Sequence, residues 1–128
     1  MILLILYSKT NNMNKILSEN EIKQFREEGA VFLKNKFDIT WINKLRTGIK
    51  RDIKNPSPRF KSHTIQKDVP AYLEDYWTWH LVPEFKEFVY NSPYARIASE
   101  LMSAKKINLV MDNWFLREAG SKSSTPFH

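Results

Sequence analysis

The chain has 128 residues, 42% hydrophobic and 13% aromatic, which suits one domain with a real core and excludes wholesale disorder. It has no cysteine, so disulfides, thiolate metal sites and a cysteine nucleophile are excluded, and a reducing, cytoplasmic setting fits. The formal charge of +6 is regional: residues 34–67 hold ten Lys/Arg against two Asp/Glu, an excess of eight, whereas residues 68–128 hold six against eight.

The chain opens MILLILYSKTNN. Its apolar run, Ile2 to Tyr7, is too short to cross a bilayer, which takes about 20 apolar residues. It also lacks the basic start and small-residue cleavage site of a signal peptide. Met13 opens MNKILSENEIKQF, which reads as a natural start. Residues 1–12 are therefore expected to be an extension outside a domain of residues 13–128.

Leu17 to Gly29 is predicted as a helix. Ser18 followed by Glu21 makes a capping box available, Leu17 and Ile22 occupy the staple positions, and Gly29 suits the left-handed residue that ends a helix. The apolar, β-prone run Ala30–Leu33 predicts a strand. A second helix is expected from about Thr40 to Lys54, because Ile42, Leu45, Ile49 and Ile53 recur at helical spacing while basic residues fill the other faces. NPSPRF breaks that pattern, and residues 56–70 read as a long loop.

The run AYLEDYWTWHLVPEF is dense in aromatics and reads as core or pocket wall. Pro83 can open a short helix, and Ser92–Pro93 resembles a cap before a second one. In that second helix Tyr94, Ile97, Ala98, Leu101 and Met102 share one face. INLVMDNWFL is predicted as one long strand, with Ile107, Leu109, Met111, Asn113 and Phe115 on one side and Trp114 and Leu116 on the other. It needs partners, since stable sheets take three or more strands, and the sequence offers few.

No Gly-rich phosphate loop, HExxH, EF-hand loop or cysteine metal motif is present. His63 and His80, taken alone, read as ordinary surface or hydrogen-bonded histidines. The basic region reads as a solvated helix face or as an attractor for nucleic acid or an acidic partner.

The combination of WTWHLVPEFKEFVYNSPYARIASELM with MDNWFLREAGSKSSTPFH resembles the phytanoyl-CoA dioxygenase family. The first part is similar to the family's helix pair ahead of its barrel. The second is similar to the strand and loop leading into TPWHxD. LSENEIKQFREEGAVFLKN resembles the N-terminal helix and strand, so the likeness spans most of residues 17–128. It implies an α+β chain: N-terminal helices followed by the first strands of a double-stranded β-helix, or jelly roll, left incomplete.

The resemblance further implies an Fe(II)- and 2-oxoglutarate-dependent dioxygenase that hydroxylates a small-molecule substrate with O2, without nucleic acid or membrane partners. In the family, two histidines and a carboxylate hold the iron on one face. His128 matches the first of these ligands, and Phe127 stands where the family usually has Trp. The aspartate, the distal histidine and the arginine for 2-oxoglutarate have no counterpart. Trp114 is expected beside the 2-oxoglutarate pocket, and Trp77 and Trp79 beside the substrate entrance. One imidazole cannot hold iron in a defined geometry, so the 128 residues alone are expected to be a fragment without activity. The alternative is a small basic module for nucleic acid or an acidic partner; a third is a non-catalytic domain pairing its open strand edge with another chain.

Overall fold

The computed structural model describes the backbone of residues 3–5 and, with side chains, residues 15–64 and 69–122. It is a mixture of helices and antiparallel sheet, as the α+β reading expected. In chain order the elements are β1 (Leu3–Ile5), α1 (Glu19–Glu28), α2 (Ile39–Lys54), β2 (Lys61–Ser62), β3 (Tyr72–Tyr76), α3 (Pro83–Asn91), α4 (Tyr94–Met102), β4 (Ile107–Leu109) and β5 (Asn113–Arg117).

The local signals of α1 act as anticipated. Ser18 Oγ accepts from the Glu21 amide, and the Glu21 carboxylate accepts from the Ser18 amide at 2.7 Å, closing the capping box. Gly29 ends the helix at φ 75°, with its N–H on the Phe25 carbonyl. Leu17 and Ile22 pack against Ile97 of α4, forming one core with Phe37, Leu33 and Leu101 at its edge. The carboxylate of Glu100 on α4 accepts from the amides of Ile16 and Leu17, which fixes the entry to α1 on its partner helix. α4 starts one residue later than the Ser92–Pro93 pairing implied, and Ser92 Oγ accepts from the Tyr94 amide.

Two predicted strands need correction. Ala30–Leu33 forms no strand; it runs as irregular chain into a turn where Asn35 takes φ 58°. A strand requires a ladder, and the run instead gives Leu33 to the α1–α4 core while Phe32 stays exposed. The long strand at 107–116 is broken into β4 and β5, which join different sheets. β4 pairs with β1, and β5 pairs with β3. The side-chain alternation changes phase across the break. Ile107 and Leu109 are half-buried in β4, but in β5 the even positions Trp114 and Leu116 turn inward while Asn113 and Phe115 are exposed. Val110 and Met111 lie exposed at the slip.

β5's missing partner comes from the aromatic run. YLEDY forms β3, the centre of an antiparallel sheet ordered β2-β3-β5, with β2 arising inside the expected 56–70 loop. Strand alternation puts Leu73 and Asp75 of β3 with Trp114 and Leu116 of β5 on one face. That face packs on Leu45, Ile49 and Ile53 of α2 and on Val82 and Phe85 at the start of α3. The opposite face carries Tyr72, Glu74 and Tyr76 beside Asn113, Phe115 and Arg117. No helix among the described residues is long and apolar enough to cross a membrane.

Candidate functional site

Where α2, α3 and the β4–β5 connection meet, the packing leaves a cavity of about 350 Å³. Its walls are apolar and aromatic: Leu45 and Ile49 from α2, Phe85 and Phe88 from α3, and Trp79 and Trp114. The polar lining comes from Asp112 and Asn113. Trp114 and Trp79, separated by 35 residues, thus border one cavity. Both pack with the same core, and Trp114 is 8% exposed.

Trp77 does not join them. It is 48% exposed and takes φ 57°, a left-handed conformation unusual for a bulky side chain. Two contacts hold it there. Its amide donates to the Asp112 carbonyl at 3.0 Å, and its own carbonyl accepts from Arg59 at 3.2 Å. Arg59 also donates to the Tyr76 carbonyl at 3.0 Å, with its guanidinium 5.8 Å from the Trp77 ring centre. Lys61 stands over Tyr76 and Arg117 over Tyr72, so cations and aromatic rings alternate around this side of the sheet.

Beneath the cavity lie acids that the sequence reading did not single out. Asp75 is fully buried and Asp52 is 3% exposed. Trp114 donates its indole N–H to Asp52 Oδ2 at 2.9 Å. Asp75 accepts from the Ser57 amide at 3.0 Å, the Ser57 hydroxyl at 2.7 Å and the Tyr76 amide at 2.8 Å. It thereby pins the NPSPRF turn to the sheet. Asp112 accepts from the Thr78 hydroxyl at 2.9 Å, and the Thr78 carbonyl accepts from the Leu81 and Val82 amides ahead of α3. The other Asp112 oxygen, Oδ1, is buried with no hydrogen-bond partner among the described residues.

Burial pushes the Asp52 carboxyl up from 3.8 to about 6, against the indole hydrogen bond that lowers it; the neighbouring Asp75 and Asp112 push the same way as burial. One signal for this group was legible in the sequence. Asp52 stands inside the apolar stripe of α2, three residues after Ile49 and next to Ile53. An acid on a buried stripe demands partners. Asp75 and Asp112 gave no such signal, because their placement depends on strand pairings made at long range.

His128 lies outside the described residues. His63 pairs with Glu74 at 3.1 Å, and His80 sits beside the Trp79 ring. Among the described residues no group of three or more His, Cys, Asp or Glu is placed to hold a metal ion. These residues by themselves do not fit an iron centre. No family model, curated protein or solved structure matches the chain.

Proposed function

We propose that the chain forms the N-terminal part of an Fe(II)- and 2-oxoglutarate-dependent oxygenase of the phytanoyl-CoA dioxygenase family, acting on a small-molecule substrate. The observation that carries this reading is the ordered likeness of PEFKEFVYNSPYARIASELM, NWFLREAG and TPFH to that family. The fold supports it at three points. The first stretch is a consecutive helix pair, α3 and α4. The second is strand β5 with the turn that follows it. The β2-β3-β5 sheet also has one face packed on helices and, among the described residues, the other free of them, as one half of a jelly roll would have.

In this reading His128 is an iron ligand, and the remaining ligands come from sequence beyond these residues. Iron and 2-oxoglutarate supply the oxidising chemistry when bound. The described residues provide the scaffold: α2 and α3 hold one face of the sheet.

The test begins with the coding DNA after His128, where an aspartate codon is expected at the second position. A different residue there, or a stop codon in an intact gene, argues against the reading. The protein so encoded should convert 2-oxoglutarate to succinate only with Fe(II), and His128→Ala should abolish turnover.

The second reading, a basic nucleic-acid module, is favoured by the ring of Arg59, Lys61 and Arg117 around Tyr72, Tyr76 and Trp77. The exposed stripe Arg46, Lys50 and Lys54 on α2, with no ion pair among the described residues, adds to it. It predicts affinity for single-stranded RNA or DNA that falls steeply with salt. An absence of binding at low salt removes it.

A further inference from the structure

The cavity between α2, α3 and the β4–β5 connection joins aromatic walls to a single charge. The rings of Trp79, Phe85, Phe88, Tyr94 and Trp114 line it. Two of them are held from behind. Trp114 is fixed by its indole N–H on Asp52 at 2.9 Å, and Phe88 by ring contacts with Trp41 at 5.9 Å and Tyr94 at 5.8 Å. At about 350 Å³ the space suits a small molecule. Solvent reaches it, because the wall residues Tyr94, Met111 and Asn113 are exposed.

Asp112 supplies the one charge among the lining residues. Its Oδ2 accepts from the Thr78 hydroxyl at 2.9 Å and the Thr78 amide at 3.3 Å, which fixes how the carboxylate is turned. Oδ1 is left buried with no hydrogen-bond partner among the described residues. A buried carboxylate oxygen without a donor is costly, the more so beside apolar walls. The cations of α2 that reach α3 do not answer it, since Lys44 pairs with Glu87 and Arg51 with Glu84. Arg59 is engaged with the Tyr76 and Trp77 carbonyls.

Two demands therefore meet in one place. Aromatic faces attract a cation through the ring quadrupole and remove an apolar body from water. A carboxylate oxygen takes an N–H donor, most strongly when the donor is charged. We propose that the cavity binds a small organic ammonium ion, an amine with an aromatic or alkyl body. The body lies against Trp79, Phe85, Phe88 and Trp114, and the N–H donates to Asp112 Oδ1. The site lies on the face of the sheet that α2 and α3 cover. It needs neither iron nor 2-oxoglutarate and goes beyond the oxygenase reading.

The test titrates the full chain with phenethylamine, with its neutral analogue ethylbenzene and with the anion phenylacetate at neutral pH. The indole N–H signals of Trp79 and Trp114 are followed by NMR. Phenethylamine should bind about tenfold tighter than ethylbenzene or more, the difference being one charged hydrogen bond. Phenylacetate should bind most weakly, although a net charge of +6 attracts anions to the chain as a whole. Asp112→Asn should lower the affinity for phenethylamine to that for ethylbenzene. The Thr78 amide claims the new carbonyl oxygen and leaves the NH2 group at the place of Oδ1, where it repels an ammonium ion.

Equal affinity for phenethylamine and ethylbenzene, the result expected where a water already satisfies Oδ1, overturns the proposal. So does tighter binding of phenylacetate, amine binding that moves neither indole signal, or amine binding unchanged in Asp112→Asn. If Asp112→Asn does not fold, the comparison of the three ligands on the wild-type chain decides alone.

Discussion

Gly48 of α2 lies directly against Phe85 of α3. A Cβ added to Gly48 would stand 2.8 Å from Cδ1 of the phenyl ring, closer still to Cε1, and 3.2 Å from Cβ of Glu84. The ring cannot give way, because Phe85 is 6% exposed and packed with Val82 and Trp114. Glycine is what permits this close approach of the two helices at the cavity wall.

Gly48→Ala should therefore destabilise the protein, even though alanine is the better helix former by about 1 kcal/mol. Overpacking of this kind costs about 1–3 kcal/mol. Urea unfolding should show a lower midpoint. Combining it with Phe85→Leu should recover part of the loss, since the smaller side chain makes room. A Gly48→Ala chain as stable as wild type would mean that the helices sit further apart.

Glu100 should matter more than a surface glutamate. Its carboxylate accepts from the Ile16 amide at 3.0 Å and the Leu17 amide at 2.9 Å, and pairs with Arg96 at 3.2 Å. Glu100→Ala leaves two backbone donors at the start of α1 without their acceptor, at a cost of about 2 kcal/mol. Hydrogen exchange at residues 16 and 17 should accelerate, with exchange in β3 much less affected.

Ser18→Ala removes one half of the capping box and should cost about 1 kcal/mol. Exchange should quicken at the Glu21 amide, which donates to Ser18 Oγ. Ser18→Asp, which keeps an acceptor at the same position, should restore most of the protection.

Arg51 and Glu84 should give the chain a pH response opposite in sign to that of Asp52, whose raised carboxyl stabilises below 3.8 and loses that contribution as pH rises through about 6. The Arg51 guanidinium holds the Glu84 carboxyl below its usual value of 4.5. A depressed carboxyl contributes stability above its unfolded value, and that contribution is lost as pH falls through the folded one. The α2–α3 clamp therefore weakens below about 4.5. Arg51 is half-exposed, so solvent screens the pair and its contribution is small. Glu84→Gln should flatten the acid limb of a stability–pH curve and leave the limb between ~pH 4 and ~pH 7 unchanged.

Helix signals were legible because they are local. Ser18, Glu21 and Gly29 mark α1 through contacts within a few residues, and Pro83 opens α3 where its missing N–H is tolerated. The apolar stripe of α2 was readable for the same reason, and so was the anomaly of Asp52 within it. Strands were harder, since a strand exists only where a partner completes its ladder. Ala30–Leu33 has β-prone residues and no partner, while YLEDY has two acids and becomes the central strand by pairing with both Ser62 and Leu116 through Leu73.

The sequence by itself determined the helices, the caps of α1 and the aromatic stock from which the core is built. Tertiary structure decided which aromatics meet. Trp114 and Trp79 came together at one cavity only because α2 and α3 cover one face of the sheet, and Trp77 was turned to the other side by the Asp112 and Arg59 contacts. Tertiary structure also decided that Asp52 and Asp75, 23 residues apart, are both buried about Trp114, which donates to Asp52 and lies opposite Asp75 across the strands. The physical reason is the same in each case: periodicity fixes which side of an element a residue occupies, but charge burial and cavity walls arise only when distant elements pack.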